Sequence, residues 1–334
     1  MKSPVVLLTA MLLGGSAAAQ PPLLTVYTYD SFVSEWGPGP AVEAAFEQIC
    51  HCDLKFVGVG DGAALLARLK LEGARSDADV ALGLDTNLIA AAQQSGLFAP
   101  HGQQPQVDIP LPNGGLTTGW ADPLFLPYDW GHFAFVYDKE RLPIPPRSFD
   151  ELAASNIRII IQDPRSSTPG LGLLLWVKDQ YADKAPDLWR ALADNIVTVT
   201  AGWSEAYGLF LEGEADMVLS YTTSPAYHRI AEGDASKEAA IFDSHYMQIE
   251  VAGKLAASQQ PELAEAFLAF MVSEAFQSLI PTTNWMYPAV MPAAGLPKGF
   301  DAPLGPARSR LIAPDKVPVL RDEALQEWLA ALSR

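Results

Sequence analysis

Twice along this chain, short β-branched runs alternate with stretches whose apolar residues recur at helical spacing, and that repeated order restricts the fold more than any motif does. Leu24-Thr25-Val26-Tyr27-Thr28-Tyr29, Leu54-Lys55-Phe56-Val57-Gly58-Val59 and Ala78-Asp79-Val80-Ala81-Leu82-Gly83 have the composition of strands. Between them, Pro40 to Ile49 places Val42, Ala45, Phe46 and Ile49 on one helical face, and Ala63 to Leu71 does the same with Leu65, Leu66 and Leu69. Strand, helix, strand, helix predicts an α/β sheet. The order resumes with Ile157 to Ile161, a helix after Pro169, a strand from Ile196 to Thr200, a helix from Ser204 and a strand from Met217 to Tyr221. A strand around Met247 to Val251 and an amphipathic helix from Pro261 to Met271 follow. No internal repeat or long low-complexity linker separates the two units. They are therefore expected as two α/β lobes joined by crossing segments, with a ligand held between them at the strand ends.

The start of the chain has a different character. Lys2, the apolar run Val5 to Leu13 and the small residues Ala17-Ala18-Ala19 make a secretory signal peptide of residues 1–19, too short to span a bilayer, with cleavage near Gln20. No cysteine stands at the cleavage point to carry a lipid, and no later apolar stretch has membrane length, so the expected product is free in the periplasm. A formal charge of −17 opposes nucleic-acid backbones and anionic membranes and mildly favours a cationic ligand. In an oxidising compartment Cys50 and Cys52, flanking His51, read as a structural pair, a local disulfide being the leading form; a metal site lacks further local ligands, and a Cys-His nucleophile lacks suitable geometry.

Three segments carry candidate chemistry. In Gly58-Val59-Gly60-Asp61-Gly62 the third glycine comes too early for a dinucleotide fingerprint, and Asp61 would oppose a pyrophosphate. Either its glycines bring backbone close to a ligand while Asp61 pairs with a cationic heterocycle, or Asp61 simply caps a helix after a tight turn. Arg165-Ser166-Ser167-Thr168-Pro169-Gly170 opens an apolar helix, with Pro169 suited to its first turn. Hydroxyls and free N–H groups there make an anion site, although ordinary capping explains the same residues slightly better. Finally Tyr29, Trp36, Trp203, Tyr221, Tyr227 and Trp285 fall at strand ends or in turn-forming segments, where rings can stack on a flat cation, even though packing is the commoner role for any one ring. No Gly-x-Ser-x-Gly, His-Glu-x-x-His or phosphate loop occurs, and His51, His101, His132, His228 and His245 form no spacing pattern.

These residues lie in longer stretches that resemble the periplasmic thiamine-binding components of ABC importers. The similarity runs through Leu24 to Phe32, Trp36-Gly37-Pro38-Gly39-Pro40, Asp163-Pro164-Arg165, Ser167 to Trp176, Gly202 to Leu211, Leu219 to Tyr227 and Asn284-Trp285-Met286-Tyr287-Pro288, and only the part after about Val290 diverges. The resemblance implies a type II periplasmic-binding-protein fold, two α/β lobes joined by a hinge with the cleft between them. Its division would be residues 20–126 and 243–334 for one lobe and 127–242 for the other.

It also implies a carrier that catalyses nothing, takes thiamine and its mono- and diphosphate, delivers them to a membrane permease, and works as a monomer without metal, cofactor or nucleic acid. Asp61 and Gly62 would then hold the aminopyrimidine side, while Trp203, Tyr227 and Trp285 surround the heterocycles. Ser167 and Thr168 would meet the hydroxyethyl or phosphate end, Tyr221, Thr222, Thr223 and Ser224 would line the floor, and Tyr29 and Trp36 the walls. The Cys-x-Cys pair fits the family pattern. Competing expectations are an iron or polyamine carrier of the same fold, and a thiamine-degrading enzyme of related fold that uses a cleft cysteine. Tyr27 and Tyr29 are separated by Thr28, unlike the adjacent tyrosines of iron carriers.

Overall fold

The computed structural model describes residues 20–112 and 120–332, so the expected signal peptide lies outside the described residues. The first three predicted strands form as Leu23–Thr28, Asp53–Gly58 and Val80–Asp85 and pair in parallel, with Leu23–Thr28 in the middle. Helices Gly39–Cys50 and Gly62–Glu72 connect them, burying Val42 and Phe46 on the first and Leu65, Leu66 and Leu69 on the second. Parallel strands need such crossovers, and the apolar stripe of each helix is what seals the sheet. Cys50 and Cys52 are joined in a disulfide that spans the turn from the first helix to the second strand.

The strand that organises the molecule was not legible in the sequence. Phe125–Asp138, fourteen residues long, is buried along its first twelve. Pro127, Asp129, Gly131 and His132 interrupt its apolar run, whereas the equally buried Val80–Asp85 carries an unbroken one as far as Leu84. Its first part, Phe125 to His132, pairs antiparallel with His245–Leu255; its second, Phe133 to Tyr137, pairs antiparallel with Met217–Tyr221. One strand thus enters one sheet and leaves in another. On the far side, Ile159–Gln162 lies parallel to both Met217–Tyr221 and Ile196–Thr200, and on the near side His245–Leu255 pairs antiparallel with Val80–Asp85.

The end of the chain departs from the expected division. Helix Val317–Leu332, assigned above to the lobe of residues 20–126, packs on helices Thr168–Tyr181 and Ala185–Leu192 of the other lobe. Trp328 and Ala324 join the buried cluster that holds Trp176, Leu188 and Trp189. Lys178, only 5% exposed, reaches Glu323 at 3.0 Å and Glu327 at 2.8 Å on the same helix, and Arg310 pairs with Asp179. A buried ammonium needs anionic partners, and the final helix supplies them together with the indole that covers the neighbouring apolar surface.

Replacing Trp328 by alanine should destabilise the protein by about 3 kcal/mol, the usual loss for a buried large aromatic, read as a lower denaturant midpoint by tryptophan-independent circular dichroism.

Candidate functional site

A cavity of about 300 Å³ lies between the two sheets. Tyr29, Trp36 and Asp61 reach it from the first lobe; Thr168, Trp203, Tyr207, Tyr221, Ser224 and Tyr227 from the second; Glu250, Asn284, Trp285 and Met286 from the return strand and the segment after it. Most lie just past a strand end or on the first turn of a helix, where a parallel sheet leaves side chains free of the pairing ladder.

Rings form most of the wall. Trp203 stacks on Tyr207 with centroids 5.0 Å apart and 27° between planes, and Trp36 tilts toward Trp203 at 6.1 Å. Opposite them Tyr227 and Trp285 meet edge to face at 5.3 Å and 76°. Two of the rings are held from behind: Trp203 Nε1 donates to Ser220 Oγ at 2.8 Å, Ser220 Oγ shares a hydrogen with Ser224 Oγ at 2.7 Å, and Tyr207 Oη lies 2.8 Å from His228 Nε2. Trp285 adopts φ 57°, a left-handed conformation that costs a bulky residue about 1–3 kcal/mol and so marks a position the surroundings over-determine. Tyr29 owes its place to Gly83, where a Cβ would fall 2.2 Å from the tyrosine ring.

Asp61 does something the sequence did not disclose. It sits ahead of helix Gly62–Glu72 without bonding its own helix, and instead reaches across to the other lobe. Its Oδ2 accepts from Ser167 Oγ at 2.6 Å and from the Trp203 backbone N–H at 3.2 Å, and Thr168 N–H also bonds the carboxylate. The carboxylate therefore caps helices Thr168–Tyr181 and Trp203–Leu211 from the opposite lobe, with both macrodipoles in its favour. Burial lifts its pKa to about 6 in spite of these donors. Gly62 makes this approach possible: its N–H donates to Thr168 Oγ1 at 3.1 Å, and a Cβ there would sit 2.6 Å from the Gly83 carbonyl oxygen and 2.8 Å from Thr168 Oγ1.

Of the expected contact residues, Tyr29, Trp36, Asp61, Thr168, Trp203, Tyr221, Ser224, Tyr227 and Trp285 come together on the cavity wall. Ser167, Gly62, Thr222 and Thr223 do not line it. Ser167 is fully buried behind Asp61, so the helix start expected to meet a phosphate is occupied by the protein's own carboxylate. Thr222 is buried with its N–H on the His132 carbonyl, and Thr223 Oγ1 faces Met286 Sδ at 3.8 Å. Arg165 forks onto Asp163, holding that carboxyl below the usual range, and stands away from the wall. Residues not anticipated include Tyr207, Glu250, Asn284, Met286 and Leu211. Tyr207 follows Trp203 by one helical turn, a spacing that could have revealed it; Glu250, a single carboxylate inside an apolar strand run, was the other readable signal. Neither cysteine lines the cavity, and His228 and His245 are engaged separately, by Tyr207 with Glu232 and by Phe133 with Phe242.

Comparison with known proteins agrees with this geometry. The family model for bacterial extracellular solute-binding proteins matches residues 37–278. The chain belongs to that family. This solute-binding protein is 54% identical over 330 residues to the thiamine-binding periplasmic protein of Salmonella typhimurium, covering 98% of each chain. A solved periplasmic thiamin binding protein superposes with a TM-score of 0.88 at 54% identity, over 94% of this chain and 97% of that one. Iron-bound HitA from Pseudomonas aeruginosa, at 20% identity and a TM-score of 0.71 over 93% of this chain and 99% of its own, shares the fold. The architecture is the type II periplasmic-binding-protein fold, two α/β lobes with the cavity between them.

Two consequences of the solute-binding protein's Asp61 latch are measurable. Because the folded-state pKa is raised, the native form binds more protons than the unfolded form between about pH 4 and 6; the contribution of Asp61 to stability is full below pH 4 and falls as pH rises through about 6. Asp61→Asn should flatten that part of the stability profile in denaturant titrations run across this range. Gly62→Ala should clash with the Gly83 carbonyl oxygen and crowd Thr168 Oγ1, destabilising the protein by about 1–3 kcal/mol, read as a lower denaturant midpoint.

Proposed function

We propose that this chain is the periplasmic thiamine-binding component of an ABC importer, which captures the vitamin between its lobes and catalyses no reaction. The observation that carries this reading is the composition of the cavity wall: aromatic faces and two carboxylates, Asp61 and Glu250, with no lysine, arginine or histidine among the described lining residues. Thiamine is two flat heterocycles joined by a methylene bridge, one of them a thiazolium with a permanent positive charge. Ring faces attract such a cation by about 0.5–2 kcal/mol each, more once water is excluded. Similarity at 54% identity to proteins named for thiamine supports the same ligand.

In this reading Trp203, Tyr227 and Trp285 surround the heterocycles, Tyr29 and Trp36 complete the walls, and Asp61 holds the aminopyrimidine side as the lobes close. Thiamine mono- and diphosphate would be carried as well, the carrier acting as a monomer and docking on the membrane permease in its closed form. A cysteine-dependent degradation of the vitamin finds no support, since Cys50 and Cys52 are bonded to each other and lie off the wall.

Calorimetric titration of the purified protein, freed of residues 1–19, tests the proposal. Thiamine should bind one to one with a submicromolar Kd, and Trp203→Ala should weaken it at least about tenfold, the loss of one well-placed ring. Heat with spermidine but none with thiamine would overturn the choice of ligand.

A further inference from the structure

Glu250 stands on the cavity floor, 5% exposed, in the middle of the strand pairing that joins the two sheets. Tyr128 Oη at 2.7 Å and Tyr29 Oη at 3.0 Å donate to its Oε2, and Gln248 Nε2 donates to Oε1 at 2.8 Å. On one side its cross-strand partner is Asp129, fully buried, which accepts from Asn284 Nδ2 at 2.6 Å through one oxygen and meets no donor through the other. On the other side its partner is Asp85, also fully buried and held by Asn87. Three carboxyl groups therefore lie level on three adjacent strands. Among the described residues no basic side chain bonds any of them or lines the cavity above.

Carboxylates this close and this dry cannot all ionise. Asp129 lies well above the usual carboxylate range, driven first by burial and then by the charge of Glu250; burial raises Glu250 as well, opposed by the hydrogen bonds from Tyr128 and Tyr29, which favour its ionised form. Glu250 accepts three hydrogen bonds, Asp129 one and Asp85 two from Asn87, so Glu250 is the best provided for as an anion; it is also the member of the three that opens into the cavity, and among the described residues no cationic side chain bonds it.

We propose that Glu250 is the specificity-determining anion of the site, selecting a ligand with a permanent positive charge over a neutral molecule of the same shape. This rests on the reading of the ligand as thiamine. It adds a second role beside that of Asp61, whose Oδ2 already accepts from Ser167 Oγ and the Trp203 N–H of the opposite lobe: Glu250 supplies the charge that faces the thiazolium.

The test compares thiamine with its neutral isostere, in which the thiazolium nitrogen is replaced by carbon, by calorimetry on the unaltered protein and on Glu250→Gln. The unaltered protein should prefer thiamine by at least about 100-fold, the scale expected when a buried charge loses its only partner. Glu250→Gln should cut that preference to below about tenfold and leave affinity for the isostere within about threefold. Equal weakening of both ligands in the variant, with the preference intact, would show that Glu250 merely supports the floor. A preference below about tenfold in the unaltered protein would overturn the proposal without recourse to any variant. If the unaltered protein binds neither molecule, the thiamine reading fails and takes this proposal with it; binding of thiamine without discrimination sinks the role of Glu250 alone.

Discussion

Everything in this molecule hangs on two strands lying against each other. Phe125–Asp138 and His245–Leu255 pair antiparallel through their buried middles, and each belongs to the neighbouring sheet elements as well. Because backbone hydrogen bonds run without a break from the outermost strand of one lobe to that of the other, the lobes are not beads on a linker but two ends of one bent sheet. The bend leaves a gap on one side, and the ends of the parallel strands on both sides open into it. The position of the cavity is thus a consequence of strand connectivity before any side chain is considered.

Side chains then decide what the gap does. Asp61 satisfies two helix starts across it, so at this point the lobes meet through a charge-assisted contact that can be broken and remade. Close approach is permitted at Gly62 and at Gly83, and rings fill what remains. The cost of holding Asp61, Asp85, Asp129 and Glu250 away from water falls on the fold, and it is spread over hydroxyl, amide and backbone donors. A wall built in this way suits a cation.

The sequence disclosed this unevenly, for physical reasons. Elements marked by an unbroken β-branched run or by helical apolar spacing were plain: Leu23–Thr28, Gly39–Cys50, Ile196–Thr200 and Pro261–Met271 fall within a residue or two of where the pattern put them. Phe125–Asp138 was invisible because Pro127, Asp129, Gly131 and His132 break up its apolar run. At the site, tryptophans in turn-like contexts were good guides, and Trp36, Trp203 and Trp285 all face the cavity. Ser167 was a poor one: its hydroxyl looked available for an anion because sequence cannot show that a carboxylate from a segment about a hundred residues earlier already fills the place. The last helix was misassigned because its packing partner is chosen by Lys178, Trp176 and Trp189, residues far away in the chain.

That helix has a bearing on how the protein is made. The second lobe, whose strands and helices are encoded in the middle of the gene, exposes the face of Thr168–Tyr181 and Ala185–Leu192 until the last residues arrive to cover it. The strands and helices of that lobe therefore do not complete it by themselves: its core waits for a helix made after the return strand His245–Leu255 of the other lobe, a closure of high sequence separation and so a slow one.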